Sequence, residues 1–251
     1  MSTKIIAMSD KHINFRVNKG DLPDLPMRTI ICGKSQLSGK TTAAGNMVLR
    51  PFDKTDLGGL GFYKDDFDGE NIYIVSESLH LDDKLQSIIA GKEIPDVNQL
   101  SHFNEDQLTT IYESIEKNFN EAIAEGRKPK HSLWILDDIG FTGALKEKVN
   151  GILAKAFMNG RHILLSLICT AQKYTSIQTS LRENATCCIF FESSAKQAQL
   201  MAEDHATTST KDFEKMLRKA TREPHSFLMI NYSNPIEKRF MNSDFEPVSI
   251  S

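Results

Sequence analysis

Two short stretches hold residues of the type and spacing needed to handle a nucleoside triphosphate. The first is Gly33-Lys34-Ser35-Gln36-Leu37-Ser38-Gly39-Lys40-Thr41, followed by Thr42. Small residues let successive backbone N–H groups converge on an oxyanion, and a helix beginning at Lys40 would aim its positive end at the same point. On this reading residues 33–42 bind the nucleotide. Gly39 allows close approach of the β-phosphate, Lys40 reaches the β- and γ-oxygens, and the Thr41 hydroxyl binds magnesium. The second stretch is Ser132-Leu133-Trp134-Ile135-Leu136-Asp137-Asp138, an apolar run that ends in two acids. Asp137 would hold the metal, directly or through water, and Asp138 would polarise the attacking water. The plainer alternative is that the two acids only begin a turn with Gly140.

The glycine spacing departs from the usual pattern. That pattern leaves four residues between its glycines, and this chain leaves five, Lys34 to Ser38. Either the loop is one residue longer or Lys34 takes the first glycine position. Ser38 to Thr41, which carry most of the binding, are intact in both cases.

Three further polar residues bear on hydrolysis. Gln172 follows an apolar run in Cys169-Thr170-Ala171-Gln172. It would face the γ-phosphate or the attacking water if the sheet has the RecA-type strand order. Arg161 and Arg182 could stabilise charge on the transferring phosphate, a contribution of about 10³–10⁵ in rate when a neighbour supplies such a finger. Arg161 precedes its strand, so it lies opposite its own pocket and would have to serve another subunit. A salt bridge is the competing reading for each arginine. His162 and His205 lack metal-like partners and read as structural, and Glu77 reads as a supporting acid or a solvated loop residue.

Elements that could position these groups follow from the hydrophobic pattern. Apolar runs predict strands at Arg28–Cys32, Ile72–Val75, Leu133–Leu136, Ile163–Cys169 and Cys187–Phe191, then Phe227–Ile230 and Glu237–Phe240. Helices are expected at Lys40–Leu49, Leu81–Ala90, Glu105–Glu125, Leu145–Met158, Ala195–His205 and Asp212–Ala220. Strands apolar at every position must be covered on both faces, which implies an α/β domain with helices on each side of a mostly parallel sheet. Ligands of such sheets lie at the carboxyl ends of the strands, where both motifs fall. Residues 1–26 read as a proline-punctuated lead-in, and residues 27–251 as one domain with a C-terminal extension from about residue 206.

Composition narrows the class. The chain has 251 residues, 40% of them hydrophobic and 25% charged, which is ordinary for a globular protein. Ile163–Cys169 is far too short to span a bilayer. The first ten residues hold no apolar signal core, so cytosolic residence is expected. Cys32, Cys169, Cys187 and Cys188 sit in apolar runs without metal-ligand spacing and read as buried thiols. A net charge of −3 does not mark a nucleic-acid binder, so DNA contact would need a local patch. Lys128 with Lys130, Lys146 with Lys148, and Lys211 through Arg222 are the candidates.

The residues also resemble a family. Pro26-Met27-Arg28-Thr29-Ile30-Ile31 leading into the phosphate loop, Leu136-Asp137-Asp138-Ile139-Gly140 and Asn159-Gly160-Arg161-His162 look like the genome-packaging ATPases of large double-stranded DNA viruses. So does Thr170-Ala171-Gln172-Lys173-Tyr174 followed by Leu181-Arg182-Glu183-Asn184-Ala185. This is the poxvirus-type branch of the FtsK–HerA superfamily, and the resemblance spans roughly residues 26–200. It implies a three-layer RecA-like P-loop NTPase with a C-terminal strand pair. It also implies ATP and magnesium as cofactors, Gln172 as sensor and Arg161 as the trans-acting arginine. Its expected partners are double-stranded DNA, a homo-oligomeric ring of five or six subunits and a capsid vertex protein, with no membrane contact indicated. Host-cell cytoplasm or viral factory, with virion association as an option, is the expected location.

Two rival functions remain open at this level. A P-loop nucleotide kinase would work as a monomer or dimer and transfer phosphate without DNA. A nucleotide-dependent switch or scaffold would bind ATP with negligible turnover. The Gln172 and Arg161 pair suits a ring ATPase better than a kinase. The loops at Phe141–Lys148 and Lys173–Thr179, which follow the catalytic strands, are the expected DNA contacts.

Overall fold

The structure, a computed structural model, describes residues 15–34, 38–49, 61–142 and 151–248. The strands are β1 (Val17–Lys19), β2 (Leu22–Leu25), β3 (Arg28–Cys32), β4 (Ile72–Ser76), β5 (Gln99–Leu100), β6 (Ser132–Asp137), β7 (Leu165–Ala171), β8 (Cys187–Phe190), β9 (Leu228–Asn231) and β10 (Phe240–Met241). The helices are α1 (Lys40–Val48), α2 (Asp83–Lys92), α3 (Glu105–Ala124), α4 (Ile152–Asn159), α5 (Thr179–Glu183), α6 (Ala195–His205) and α7 (Thr210–Ala220).

An eight-stranded sheet in the order β10-β9-β8-β3-β7-β6-β4-β5 forms the centre. From β8 to β5 every pairing is parallel, and β9 and β10 add antiparallel at the β8 edge. Successive side chains of each strand point to opposite faces, and the core divides accordingly. Trp134 and Leu136 join one cluster with Tyr112 and Phe119 of α3, Phe157 of α4 and Phe213 of α7. Leu133 and Ile135 join the other, with Met47 and Val48 of α1 and Leu85 and Ile88 of α2. Helices therefore cover both faces, and the expected three-layer, mostly parallel α/β fold with a C-terminal strand pair is observed.

Four expectations are corrected. Residues 17–25 do not form a plain lead-in; they fold into an antiparallel hairpin joined to the body. Its Pro23 carbonyl accepts the Tyr63 hydroxyl at 2.7 Å, and the Asp21 carbonyl accepts Asn231 and Asn234 side-chain amides at 3.0 and 3.2 Å. The fourth apolar run starts as a 3-10 turn over Gly160–Ile163, and Leu164 at φ 58 reverses the chain before β7 begins at Leu165. The last predicted strand begins late, because Ile236–Lys238 is a 3-10 turn and only Phe240–Met241 pairs. Residues beyond 206 are not an appendage, since β9 and β10 belong to the central sheet. Residues 145–150 of the expected fourth helix, with Lys146 and Lys148, lie outside the described residues, as does most of the expected DNA-contacting segment at Phe141–Lys148.

The four cysteines are buried and unpaired with one another. Burial pushes the Cys32 and Cys187 thiols up to about 12, so these groups stay protonated and behave as small hydrophobes. Several basic candidates for DNA contact are neutralised locally. Lys130 pairs with Asp68 at 3.0 Å and Glu70 at 2.9 Å, Lys215 with Asp212 at 3.8 Å, and Arg218 with Glu214 at 3.7 Å.

Candidate functional site

The parallel register brings the ends of four strands to one edge. Cys32 pairs with Ala171, Ser76 with Asp137, and Leu136 with Cys169. The residues just beyond therefore meet: Gly33 after β3, Asp138 after β6 and Gln172 after β7. Because β7 lies between β3 and β6, Gln172 occupies the position expected of it.

Gly33 and Gly39 each satisfy a backbone demand. A Cβ on Gly33 would come within 2.6 Å of Ser38 Cβ and 2.8 Å of Phe191 Cβ, so the loop closes only because that atom is missing. Gly39 caps α1 at φ 88, a left-handed conformation that favours glycine. Ser38 Oγ donates to the Lys34 carbonyl at 2.7 Å, which draws the two ends of the loop together. Ser35, Gln36 and Leu37 lie outside the described residues. Lys40 is buried, and its ammonium donates to the Gly33 carbonyl at 3.0 Å and the Lys34 carbonyl at 3.4 Å. Lys34 itself faces outward and pairs with Glu192 at 3.4 Å. Thr42, in the first turn of α1, is exposed.

Opposite the loop, Asp137 ends β6 in a cage of hydroxyls. Thr170 donates to its Oδ1 at 2.9 Å, Thr41 to the same oxygen at 3.5 Å, and Ser76 to Oδ2 at 3.3 Å. Burial raises the Asp137 carboxyl above the usual range, and the neighbouring Asp138 raises it further, while the Thr170 and Ser76 hydroxyls oppose the shift. A carboxylate and hydroxyl oxygens suit a hard divalent ion such as magnesium, which prefers oxygen ligands and one or two carboxylates. The residues present fit that ion, and Thr41 and Asp137 could hold it.

Asp138 turns away from Asp137 at φ 51, a left-handed conformation that aspartate adopts more readily than most residues. Its amide donates to Thr170 Oγ1 at 2.9 Å, and its Oδ2 accepts a hydrogen bond from Gln172 Nε2. The second acid and the sensor are thus directly joined. Sequence reasoning missed Thr170 and Ser76. Thr170 precedes Gln172 by two residues in an apolar run, so its inward polar side chain was the available signal.

The arginines divide. Arg161, exposed in the turn before β7, lies close enough to Arg28 to lower its pKa by charge repulsion. Arg28 begins β3, at the opposite end of that strand from Gly33, so Arg161 cannot serve its own pocket, as expected. Burial, with Arg161 and Arg16 nearby, pushes the Arg28 guanidinium down to about 10, and its Nε and Nη1 have no hydrogen-bond partner among the described residues. Arg182 has the salt bridge of the competing reading. Its head pairs with Asp204, lies 5.0 Å over the Tyr174 ring and donates to Thr179 Oγ1 at 3.0 Å, which makes it a helix-to-helix tie. His205 is structural as expected, set between the Tyr174 hydroxyl at 2.7 Å and the Tyr232 hydroxyl at 2.6 Å. His162 and Glu77 are both exposed.

Comparison with solved structures gives the same architecture. The genome packaging NTPase B204 from Sulfolobus turreted icosahedral virus 2 in complex with AMP superposes with a TM-score of 0.54 at 14% identity, covering 82% of this chain and 93% of that chain. Its complex with ATP-gammaS gives 0.51 at 13%, covering 89% and 98%. B204, the DNA-packaging ATPase from Sulfolobus turreted icosahedral virus, gives 0.51 at 16%, covering 90% and 99%. At such identities the likeness establishes the P-loop NTPase fold. No curated protein sequence matches the chain. The family model described as Poxvirus A32 protein matches residues 68–239, a span that holds Asp137, Asp138, Arg161, Gln172 and Arg182 and begins after the phosphate loop. With well over half of its length matched, the chain belongs to the poxvirus A32 protein family.

Proposed function

We propose that this protein is an ATP-hydrolysing motor that moves double-stranded viral DNA into a preformed capsid. One observation carries the reading: Thr41 at the head of α1 and Asp137 at the end of β6 face each other 3.5 Å apart across the crevice. Lys40 lies on one side and the joined Asp138–Gln172 pair on the other. The membership in the A32 family and the packaging-NTPase fold support the same reading.

In this mechanism the loop N–H groups and the Lys40 ammonium hold the phosphates. Two of the ammonium's three donors go to loop carbonyls, which keeps the charge at the floor of the cradle. Thr41 and Asp137 would hold magnesium, which when bound neutralises charge on the β- and γ-phosphates. Asp138 and Gln172 orient a water in line with the γ-phosphorus. As the new P–O bond forms, the bond to the β–γ bridging oxygen breaks, and Asp138 accepts the water's proton. ADP and phosphate are the products. Arg161, remote from its own pocket, completes the site of a neighbouring subunit in a ring around DNA. A capsid vertex protein is the proposed dock, and host cytoplasm or the viral factory the proposed place of action.

The test is the ATPase rate as a function of protein concentration, with and without double-stranded DNA and with and without magnesium. A site completed in trans predicts a rate per subunit that climbs as rings assemble, rises with DNA and vanishes on chelation. A flat, DNA-independent rate would return the reading to a kinase or a switch. Phosphate transfer to an added nucleoside would separate those two.

A further inference from the structure

Gln172 is held between two buried anchors. Ala171, on one side, ends β7 and pairs with Cys32 of β3, and Tyr174 is the anchor on the other. Three Cα-to-Cα steps join them, about 11 Å at full stretch. Lys173 is extended at φ −131 and ψ 124, so the segment has little slack, and a shift of Tyr174 would move Gln172. Tyr174 is itself fixed by α6. Its hydroxyl lies 2.9 Å from Asp204 Oδ2 and 2.7 Å from His205 Nε2, and its ring meets Phe190 of β8 edge to face at 5.2 Å. Thr175 adds a two-way tie to the same helix. Its amide donates to Gln197 Oε1 at 3.1 Å, and Gln197 Nε2 donates to Thr175 Oγ1 at 3.0 Å.

The donors around His205 fall into one order. Asp204, a carboxylate paired with Arg182, only accepts, so the Tyr174 proton goes to it. The Tyr174 oxygen then accepts from His205 Nε2–H. That leaves Nδ1 of the neutral ring to accept from the Tyr232 hydroxyl at 2.6 Å. Asp204, Tyr174, His205 and Tyr232 thus form one line from the loop of Gln172 to the residue after β9. A phenylalanine would fill the same space as Tyr174. The hydroxyl adds direction, because it fixes the height of the ring against α6.

We propose that Tyr174 and His205 are positioning residues for hydrolysis: they hold the Gln172 backbone at the height from which its side chain meets Asp138. The inference rests on the ATP reading above, with Gln172 as a group beside the attacking water. It gives the buried line a consequence for turnover rather than for nucleotide affinity, because Lys40, Thr41 and Asp137 are held by other contacts.

The test is a double-mutant cycle in the full-length chain, reading kcat with double-stranded DNA present and ATP affinity by calorimetry. Tyr174→Phe keeps the ring and removes the hydroxyl. With Gln172 present it is expected to lower kcat by about tenfold or more, since a misplacement of about 1 Å can cost about 10²-fold, and to leave ATP affinity unchanged. In a Gln172→Ala background, where nothing is left to position, it should change kcat by less than about twofold. Equal slowing in both backgrounds would mean general damage to the fold and would overturn the proposal, as would an undiminished kcat in the first. His205→Gln against His205→Leu is the second comparison, and it decides the matter if Tyr174→Phe does not fold. Glutamine keeps a donor for the Tyr174 oxygen, so it should retain more of kcat than leucine does, and equal losses would overturn the proposal. If Gln172→Ala alone turns over normally, or the unaltered protein hydrolyses no ATP, the reading of the site itself falls, and this inference with it.

Discussion

Thr170 clamps Asp137: its hydroxyl donates to the Asp137 Oδ1 at 2.9 Å and, with its lone pair, accepts the Asp138 amide at 2.9 Å. One side chain on β7 therefore sets the orientation of both acids on β6. Thr170→Val keeps the shape and removes the hydroxyl. It would leave a partly buried N–H unpaired, at about 1–3 kcal/mol of stability. Thermal unfolding should show that loss, and the ATPase rate should fall more than tenfold with ATP affinity largely kept. A variant with normal turnover would separate the clamp from catalysis.

Asp138 and Gln172 share a hydrogen bond, so their contributions should not add. Asp138→Asn is expected to bind ATP and stall. Gln172→Ala should slow turnover with little change in affinity. The double variant should be no slower than Asp138→Asn alone, measured by single-turnover hydrolysis. Additive losses would mean that the two residues act on separate steps.

Gly33→Ala would place a methyl group 2.6 Å from Ser38 Cβ and 2.8 Å from Phe191 Cβ. Neither neighbour is the end of a flexible side chain, so the loop must shift. The expected result is a folded protein whose ATP affinity falls at least tenfold, by about 1.4 kcal/mol or more, as read by calorimetry. Unchanged affinity would show that the cradle adapts to the added carbon.

His205 gives a pH signature. Burial pushes its imidazole down to about 4, against an unfolded value of about 6.5, so the folded state binds fewer protons between those values. Its contribution to stability is complete above the unfolded value and is lost as pH falls from about 6.5 to about 4. The unfolding free energy read from denaturant titrations should drop across that window by an amount on the order of 3 kcal/mol. His205→Gln should flatten the slope.

The parallel strands were legible because each is covered on both faces and so reads as an unbroken apolar run. α6 was found with its observed ends, Ala195 and His205, and β3 with its ends at Arg28 and Cys32. The hairpin at Val17–Leu25 was not, because its strands are three and four residues long and the second contains Pro23. β5 has two residues and no periodicity to read. At the site, Lys40, Thr41 and Asp137 were legible from local spacing. Ser76 and Thr170 were not, because their part depends on register: β4 and β7 flank β6, and only the folded sheet sets their hydroxyls beside its last carboxylate.

The antiparallel addition of β9 has a practical consequence for truncation. Residues Cys187 to Phe190 of β8 pair with β3 on one side and with Leu228 to Asn231 on the other. A fragment cut near residue 206 would bare one flank of β8, leaving a row of unsatisfied amides and carbonyls beside Cys188, Ile189 and Phe190. Unprotected flanks of this kind recruit strands from other chains. Shortened versions should therefore clump together in solution, and retaining the final strand pair should keep them dispersed.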